Sequence, residues 1–331
     1  MKNSKHISIY DTTLRDGAQA EGVTFSPTSK IQIAKTLDSF GVDYIEGGFA
    51  ASNPRDMAFF NEIKNIKLKH AKIAAFGSTR RANVKVTDDK GSLALLEADT
   101  PVCTIFGKSW LLHVEEVLKT TAEENLMMIE DTCKFLKDHG KEVIYDAEHF
   151  FDGYKSNSTY ALKTILSAKQ GGADTIVLCD TNGGCLSHEI YEIIQQVKEV
   201  CDLPIGIHSH NDSDTGVANA MEAIRAGAIQ VQGTINGFGE RCGNCNLISV
   251  IANLIKKTNH TCLNDENNLK NLKAISQFIN EKANLRDNQR APYVGESAFA
   301  HKAGMHVDGV RKNSDSFEHI LPESVGNMRR I

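Results

Sequence analysis

Short apolar runs of strand character recur along the chain at residues 6–11, 43–49, 72–76, 102–106, 142–148, 174–180, 204–208 and 229–236. Between them, apolar residues return every three or four positions, the spacing of a helix that buries one face. Ile31, Ala34 and Leu37 mark the first such helix, and Leu126, Ile129, Cys133 and Leu136 the fourth. Several ends are signalled as well. Ser26-Pro27 reads as a cap followed by proline at the first helical position, Gly41 and Gly140 close their helices, and Ser187 opens the sixth ahead of Ile190 and Ile194. Eight strand–helix units in about 255 residues predict a (β/α)8 TIM barrel. An open doubly wound sheet would need a glycine-rich phosphate turn after the first strand, and residues 12–16 (TTLRD) contain none. The glycine pairs at 183–184 and 237–239 are too isolated for that fingerprint.

The pattern changes after residue 258. Residues 259–268 form a polar linker, and helical spacing resumes at Leu269, Leu272, Ile275 and Ile279. A second histidine-bearing segment follows, with His301 and His306. The expected organisation is therefore a barrel over 1–258 and a linker with a small, mostly helical C-terminal subdomain over 259–331. The last residues, 328–331, bring no closing helix, which predicts a chain cut short of a further, regulatory C-terminal domain.

Composition narrows the class of partner. A net charge of −5 supplies no basic face for nucleic acid, and no apolar run approaches the length of a membrane span. The start of the chain runs straight into a strand pattern without the apolar core of a signal peptide. Eight cysteines lie scattered, two of them (Cys103, Cys179) inside strand runs, as expected of reduced thiols in a cytoplasm. Cys242 and Cys245 form a CxxC with no second pair at zinc-ribbon spacing, so both are expected to be packing residues.

Polar residues gather where the predicted strands end. Asp11, Arg15 and Asp16 follow the first strand, Glu46 lies in the second, and Glu148-His149 end the fifth. Asp180, Thr181 and Asn182 end the sixth, His208 and His210 the seventh, and Asn236, Glu240 and Arg241 follow the eighth. Barrel enzymes build their sites on that carboxyl-end face. Alternate side chains on a strand point the same way, so His208 and His210 can face one point. With Asp16 they offer one carboxylate and two imidazoles, and Asn244 can add an amide oxygen. Such a mixed set with open positions suits Mg, Mn or Zn without choosing among them. A divalent ion of this kind can chelate a 2-oxo acid through its keto and carboxylate oxygens and polarise the carbonyl. Arg15 beside it is suited either to the charge developing on that oxygen or to a salt bridge in the barrel mouth.

Residues 11–17 (DTTLRDG), 208–212 (HSHND) and 237–244 (GFGERCGN) resemble the three signatures of the 2-isopropylmalate synthase/homocitrate synthase family of metal-dependent Claisen-condensing barrels. The resemblance covers essentially the whole chain in order. It implies an acyltransferase in which the enolate of acetyl-CoA attacks a 2-oxo acid on a divalent metal, and thioester hydrolysis then releases CoA. Asp16, His208, His210 and Asn244 map onto the family's metal site, Arg15 onto the arginine at the keto oxygen, and Glu148 onto a carboxylate near the reacting carbon. Thr181 maps onto the threonine that holds the substrate carboxylate. His306 maps onto a post-barrel histidine that helps deprotonate the acetyl methyl from a partner subunit, so a homodimer is implied. Residues 16–22 and 145–152 are most similar to members that take pyruvate, on the route to isoleucine. Ala18, Ala20 and Glu21 depart from the DGEQ-SPG of 2-isopropylmalate synthases. A related acyl-CoA lyase, a synthase for another 2-oxo acid and a barrel that only binds its ligand are the other readings. A biotin-dependent carboxyltransferase would carry a lysine where this chain has Cys179.

Overall fold

The computed structural model of the chain describes residues 4–51 and 54–331. Eight parallel strands close a barrel in chain order: β1 (Ser8–Asp11), β2 (Tyr44–Phe49), β3 (Lys72–Ser78), β4 (Val102–Lys108), β5 (Glu142–Glu148), β6 (Thr175–Asp180), β7 (Ile205–Ser209) and β8 (Gln230–Gly233). β1 pairs with both β2 and β8, which seals the ring. The helices packed outside are α1 (Pro27–Phe40), α2 (Pro54–Ile63), α3 (Lys90–Glu97), α4 (Ala122–Asp138), α5 (Phe150–Ser156), α6 (Ser158–Gln170), α7 (Ser187–Val200), α8 (Gly216–Ala226) and α9 (Leu247–Lys257). α5 is an extra short helix in the β5–β6 connection that the periodicity does not predict.

The local signals act as their chemistry requires. Ser26 accepts a hydrogen bond from the Ser29 amide with Pro27 in the first turn, and Gly41 ends α1 at φ 100°, a conformation that costs glycine little. For α7 the start lies one residue earlier than expected. Leu186 occupies the cap, and the Glu189 carboxylate accepts from its amide at 2.8 Å.

Two predicted strands are shorter than their apolar runs. His6 makes only an isolated bridge to Thr261, and β8 stops at Gly233 because Thr234 donates its amide to Cys245 as the chain turns. Asn236 then sits at φ 62° and directs its side chain to the post-barrel region, where Nδ2 donates to the Ser276 carbonyl and to Asn280 Oδ1. That region holds α10 (Leu272–Lys282) and α11 (Gly304–Lys312). Leu272, Ile275 and Ile279 of α10 are buried, as their spacing predicts.

Inside the barrel the period of two produces layers. Tyr10, Ala74, Val102, Ile144, Val177 and Cys179 form an apolar cluster. A polar set accompanies it: Glu46, Thr104, Asp146 and Gln232, all buried. The next inward positions on β3, β4 and β5 carry Phe76, Phe106 and Glu148, and with His210 just past β7 they line the mouth. No helix among the described residues is long and apolar enough to cross a membrane.

Candidate metal centre

Three backbone devices bring the site together. The turn after β1 is closed by the Asp16 and Gly17 amides donating to the Thr12 carbonyl at 2.9 and 3.1 Å, which places Arg15 and Asp16 over the barrel mouth. β7 carries His208 near its end, and His210 follows directly after the strand, two positions on. The loop after β8 is drawn onto β7: the Asn211 amide donates to Gly243 O, the Cys245 amide to Ser209 O, and His210 and Asn244 form an isolated bridge. Asn244 thereby arrives beside the two histidines. Arg241 locks that loop from outside, donating from Nε and Nη2 to the Asp212 carboxylate and from Nη2 to the Thr181 carbonyl.

Asp16, His208 and His210 each present one ligand atom within 4.8 Å of the others, and all three are buried. Asp16 Oδ2 lies 3.2 Å from His208 Nε2, which lies 3.3 Å from His210 Nε2. His208 Nδ1 donates to Gln232 Oε1 at 2.8 Å, so Nε2 is the nitrogen left to ligate. Gln232 is fixed in turn by donating from Nε2 to Asp146 Oδ1 at 2.9 Å.

Electrostatics favour the ligating form at Asp16 and His210 and oppose it at His208. Burial alone would raise the Asp16 carboxyl, but the Arg15 guanidinium and the two imidazoles outweigh it and hold it well below the usual carboxylate range. Burial and then the neighbouring His208 push His210 down to about 4, leaving it neutral. His208 is the counterpart: burial would lower it, and the Asp16 carboxylate raises it instead.

Two buried polar atoms here have no hydrogen-bond partner, His210 Nδ1 and Asn244 Oδ1. Asn244 Nδ2 donates to Asp16 Oδ2 at 2.8 Å, and half a turn of its carboxamide would bring the orphaned Oδ1 into the ligand cluster. Convergent donors with an unsatisfied amide oxygen fit a divalent cation. A Cβ on Gly239 would overlap Asn244 Oδ1, which explains glycine at that point of the loop.

The set opens into a cavity of about 230 Å³ lined also by Arg15, Asp146, Glu148 and Thr181. Arg15 is held three ways: Nε donates to Glu46 Oε2 at 2.5 Å, Nη1 approaches Asp16 Oδ1 at 3.5 Å, and the guanidinium lies 3.7 Å above the Phe76 ring. Glu46 also accepts from Tyr10 and Thr12, so it lies beneath the rim as the base of the arginine clamp. Glu148 pairs with Lys108. Phe49, Phe76 and Phe106 form one aromatic wall, with Phe76 and Phe106 stacked at 5.3 Å and Phe49 edge-on to both.

Seven of the eight residues that the resemblance maps onto the site therefore share one cavity and its loop. His306 does not join them. It is exposed on α11 and stacks on Phe317 with ring centroids 4.1 Å apart. The two cysteines also divide: Cys245 is buried, whereas Cys242 is exposed on the loop, so only one is a packing residue. Asp146 and Gln232 escaped the reading by sequence. Asp146 is two positions before Glu148 and Gln232 interrupts an apolar strand, so inward-facing alternation was the available signal.

A buried Asp-His-His cluster at the carboxyl end of a parallel eight-stranded barrel defines a barrel built to hold a divalent cation. The family model described as HMGL-like matches residues 6–279, and the chain belongs to that family. A model described as the homocitrate synthase post-HMGL domain-like region matches residues 293–331. The chain is 56% identical to the (R)-citramalate synthase of Aquifex aeolicus over 99% of its own length and 62% of the relative's. It is 53% identical to that of Geobacter sulfurreducens over 98% and 61%. The chain thus spans about three fifths of the length of these relatives. Its fold resembles hydroxymethylglutaryl-CoA lyase from Pseudomonas aeruginosa, with a TM-score of 0.71 at 20% identity over 85% of this chain and 94% of that one.

Proposed function

We propose that the chain carries the catalytic barrel of an (R)-citramalate synthase, condensing acetyl-CoA with pyruvate and hydrolysing the thioester to give citramalate and CoA. The observation that carries this reading is the meeting of the Asp16/His208/His210 cluster with Arg15 at one cavity, backed by identities above 50% to named synthases. A divalent ion held there by these three residues and Asn244 would chelate and polarise the 2-oxo acid. Arg15, fixed by Glu46 and Phe76, holds the negative charge that develops on the keto oxygen. Thr181 donates its hydroxyl to the substrate carboxylate. Glu148 stands near the reacting carbon, with its charge balanced by Lys108.

The aromatic wall supports pyruvate. A distal carboxylate such as that of 2-oxoglutarate would lose its water against Phe49, Phe76 and Phe106, where the nearby cations, Arg15 and Lys108, are already paired with Glu46 and Glu148. The wall does not itself reject a larger apolar side chain, for which each methylene is worth about 1–3 kcal/mol, so the substrate panel decides that point. The acetyl methyl needs a base of near-neutral pKa, and we assign it to His306 of a partner subunit, because His306 stands apart from its own cavity. A homodimer follows, with residues 1–258 as the catalytic unit and 259–331 as the appendage that reaches across. An acyl-CoA lyase is the second reading: residues 239–244 differ from the lyases' cysteine-containing glycine loop, and only the exposed Cys242 keeps it open.

The test is thiol release from acetyl-CoA with a panel of 2-oxo acids, with and without chelator. Release dependent on a divalent ion and fastest with pyruvate is expected. Preference for 2-oxoisovalerate or 2-oxoglutarate would overturn the substrate, and cleavage of 3-hydroxy-3-methylglutaryl-CoA without condensation would favour the lyase.

A further inference from the structure

Thr181 and Glu148 line the cavity, whereas His149, which follows Glu148 in the chain and bonds to Thr181, does not. Its backbone is unusual. His149 sits at φ 52°, ψ 35°, a left-handed conformation uncommon outside glycine, which histidine adopts more readily than β-branched residues but still at some cost. That conformation aims its amide at the cavity rim, where it donates to Thr181 Oγ1 at 2.9 Å. A hydroxyl that accepts through its lone pair keeps its own proton for another acceptor. No acceptor for the Thr181 proton is found among the described residues.

The side chain of His149 explains how the strained backbone is held. Nδ1 lies 3.2 Å from Asp152 Oδ2, and the same oxygen accepts from Asn182 Nδ2 at 3.0 Å. The ring packs edge-on against His113 with centroids 4.3 Å apart, and Trp110 lies beyond at 5.9 Å. The contacts form a closed circuit. Thr181 is bound to His149, His149 to Asp152, and Asp152 to Asn182, the neighbour of Thr181. His113 opens a π-helical turn, His113–Val117, a helix irregularity common at functional sites.

We propose that His149 is a positioning residue for 2-oxo acid recognition: clamped by Asp152, its left-handed amide holds the Thr181 hydroxyl so that its proton is directed to the substrate carboxylate. The inference rests on the functional reading given above and deepens it at one subsite. It makes the β5 end responsible both for Glu148 and for the polarity of the opposite donor. The role belongs to the backbone, and the imidazole serves to fix it. Residues that adopt the left-handed region readily, such as asparagine or glycine, should therefore substitute better than a β-branched one.

Four variants of the full chain separate these roles: His149→Asn, His149→Val, Asp152→Ala and Thr181→Val. Wild-type chain must first turn over pyruvate, or at least bind it calorimetrically in the presence of Mn²⁺; failure of both would count against the functional reading and not against His149. Given that, His149→Val and Asp152→Ala should raise the KM and Kd for pyruvate about tenfold or more, the scale of one hydrogen bond to a charged group. The KM for acetyl-CoA should stay within about twofold. His149→Asn should remain within about threefold of wild type for pyruvate. Thr181→Val should match His149→Val, and the double variant should be no worse than either single one. Equal damage to both substrates, or full additivity of His149→Val with Thr181→Val, would overturn the proposal. Should His149→Val fail to fold, Asp152→Ala carries the same contrast.

Discussion

Two histidine pairs occupy this chain, and they are built in opposite ways. His208 and His210 lie at the end of an inner strand, are buried, and have Asp16, Gln232 and Asn244 arranged around them. His301 and His306 lie in the post-barrel segment. His301 meets Glu318 at 3.1 Å inside a cluster that Arg329 completes, whereas His306 is exposed against Phe317. A site whose partners all come from strand ends of one closed barrel can be assembled within one chain. A residue on an appendage presents its chemistry outward and needs a second surface to act upon.

That contrast can be broken by substitution. His208→Ala removes a buried ligand and leaves Gln232 Oε1 without its donor, so turnover should fall by about 10³-fold or more and thermal stability should fall with it. Steady-state assays and thermal unfolding check this pair of effects. Retention of turnover would detach the cluster from the chemistry.

His306→Ala should behave differently. Turnover should fall by about 10²–10⁴-fold, the contribution of a general base, while the melting temperature stays unchanged because the side chain is exposed. Mixing His306→Ala with Arg15→Ala after subunit exchange should restore up to about half of wild-type activity per mixed dimer, since one site of each mixed dimer then carries neither lesion. No recovery despite demonstrated exchange would return His306 to its own barrel.

How the sequence foreshadowed these two regions differs for a physical reason. Strand alternation and helical spacing are local, so the eight units, Ser26-Pro27 and Gly41 were legible from neighbours alone. Asp16, His208 and His210 were legible because strand ends in a barrel share one face. The orientation of Asn244 depends on a loop folding back onto β7, and the Gln232–Asp146 support crosses the barrel between β8 and β5. Those contacts span tens of residues and leave no periodic trace. Asn236 misled for the same reason: it follows a strand, yet it turns outward to α10. The left-handed His149 lies in a run, HFFDG, whose one turn signal, Asp152-Gly153, points three residues further on to a stretch that is helical in α5.

A smaller effect sharpens the account of the barrel interior. Burial raises Asp146 to about 7, with the Glu46 charge adding to it. Its folded pKa thus exceeds that of an unfolded carboxyl near about 3.9. The folded state binds more protons between these values, and stability is lost as pH rises toward about 7. His210, lowered to about 4, has the opposite sign: its contribution is present above its unfolded pKa and is lost as pH falls toward about 4. Asp146→Asn keeps an acceptor for Gln232 and should flatten only the decline on the alkaline side. Unfolding of metal-stripped protein across pH 4–8 checks it, and an unchanged slope would place the titration elsewhere.

The central claim is that the Asp16/His208/His210 cluster holds one divalent ion on which a 2-oxo acid is bound. Calorimetric titration of chelator-stripped chain with Mn²⁺, followed by pyruvate, tests it most directly. The account predicts one Mn²⁺ per chain, pyruvate binding only after the metal, and loss of both in His210→Ala. Stoichiometric Mn²⁺ binding unaltered by His210→Ala, or pyruvate binding of equal strength without metal, would contradict it.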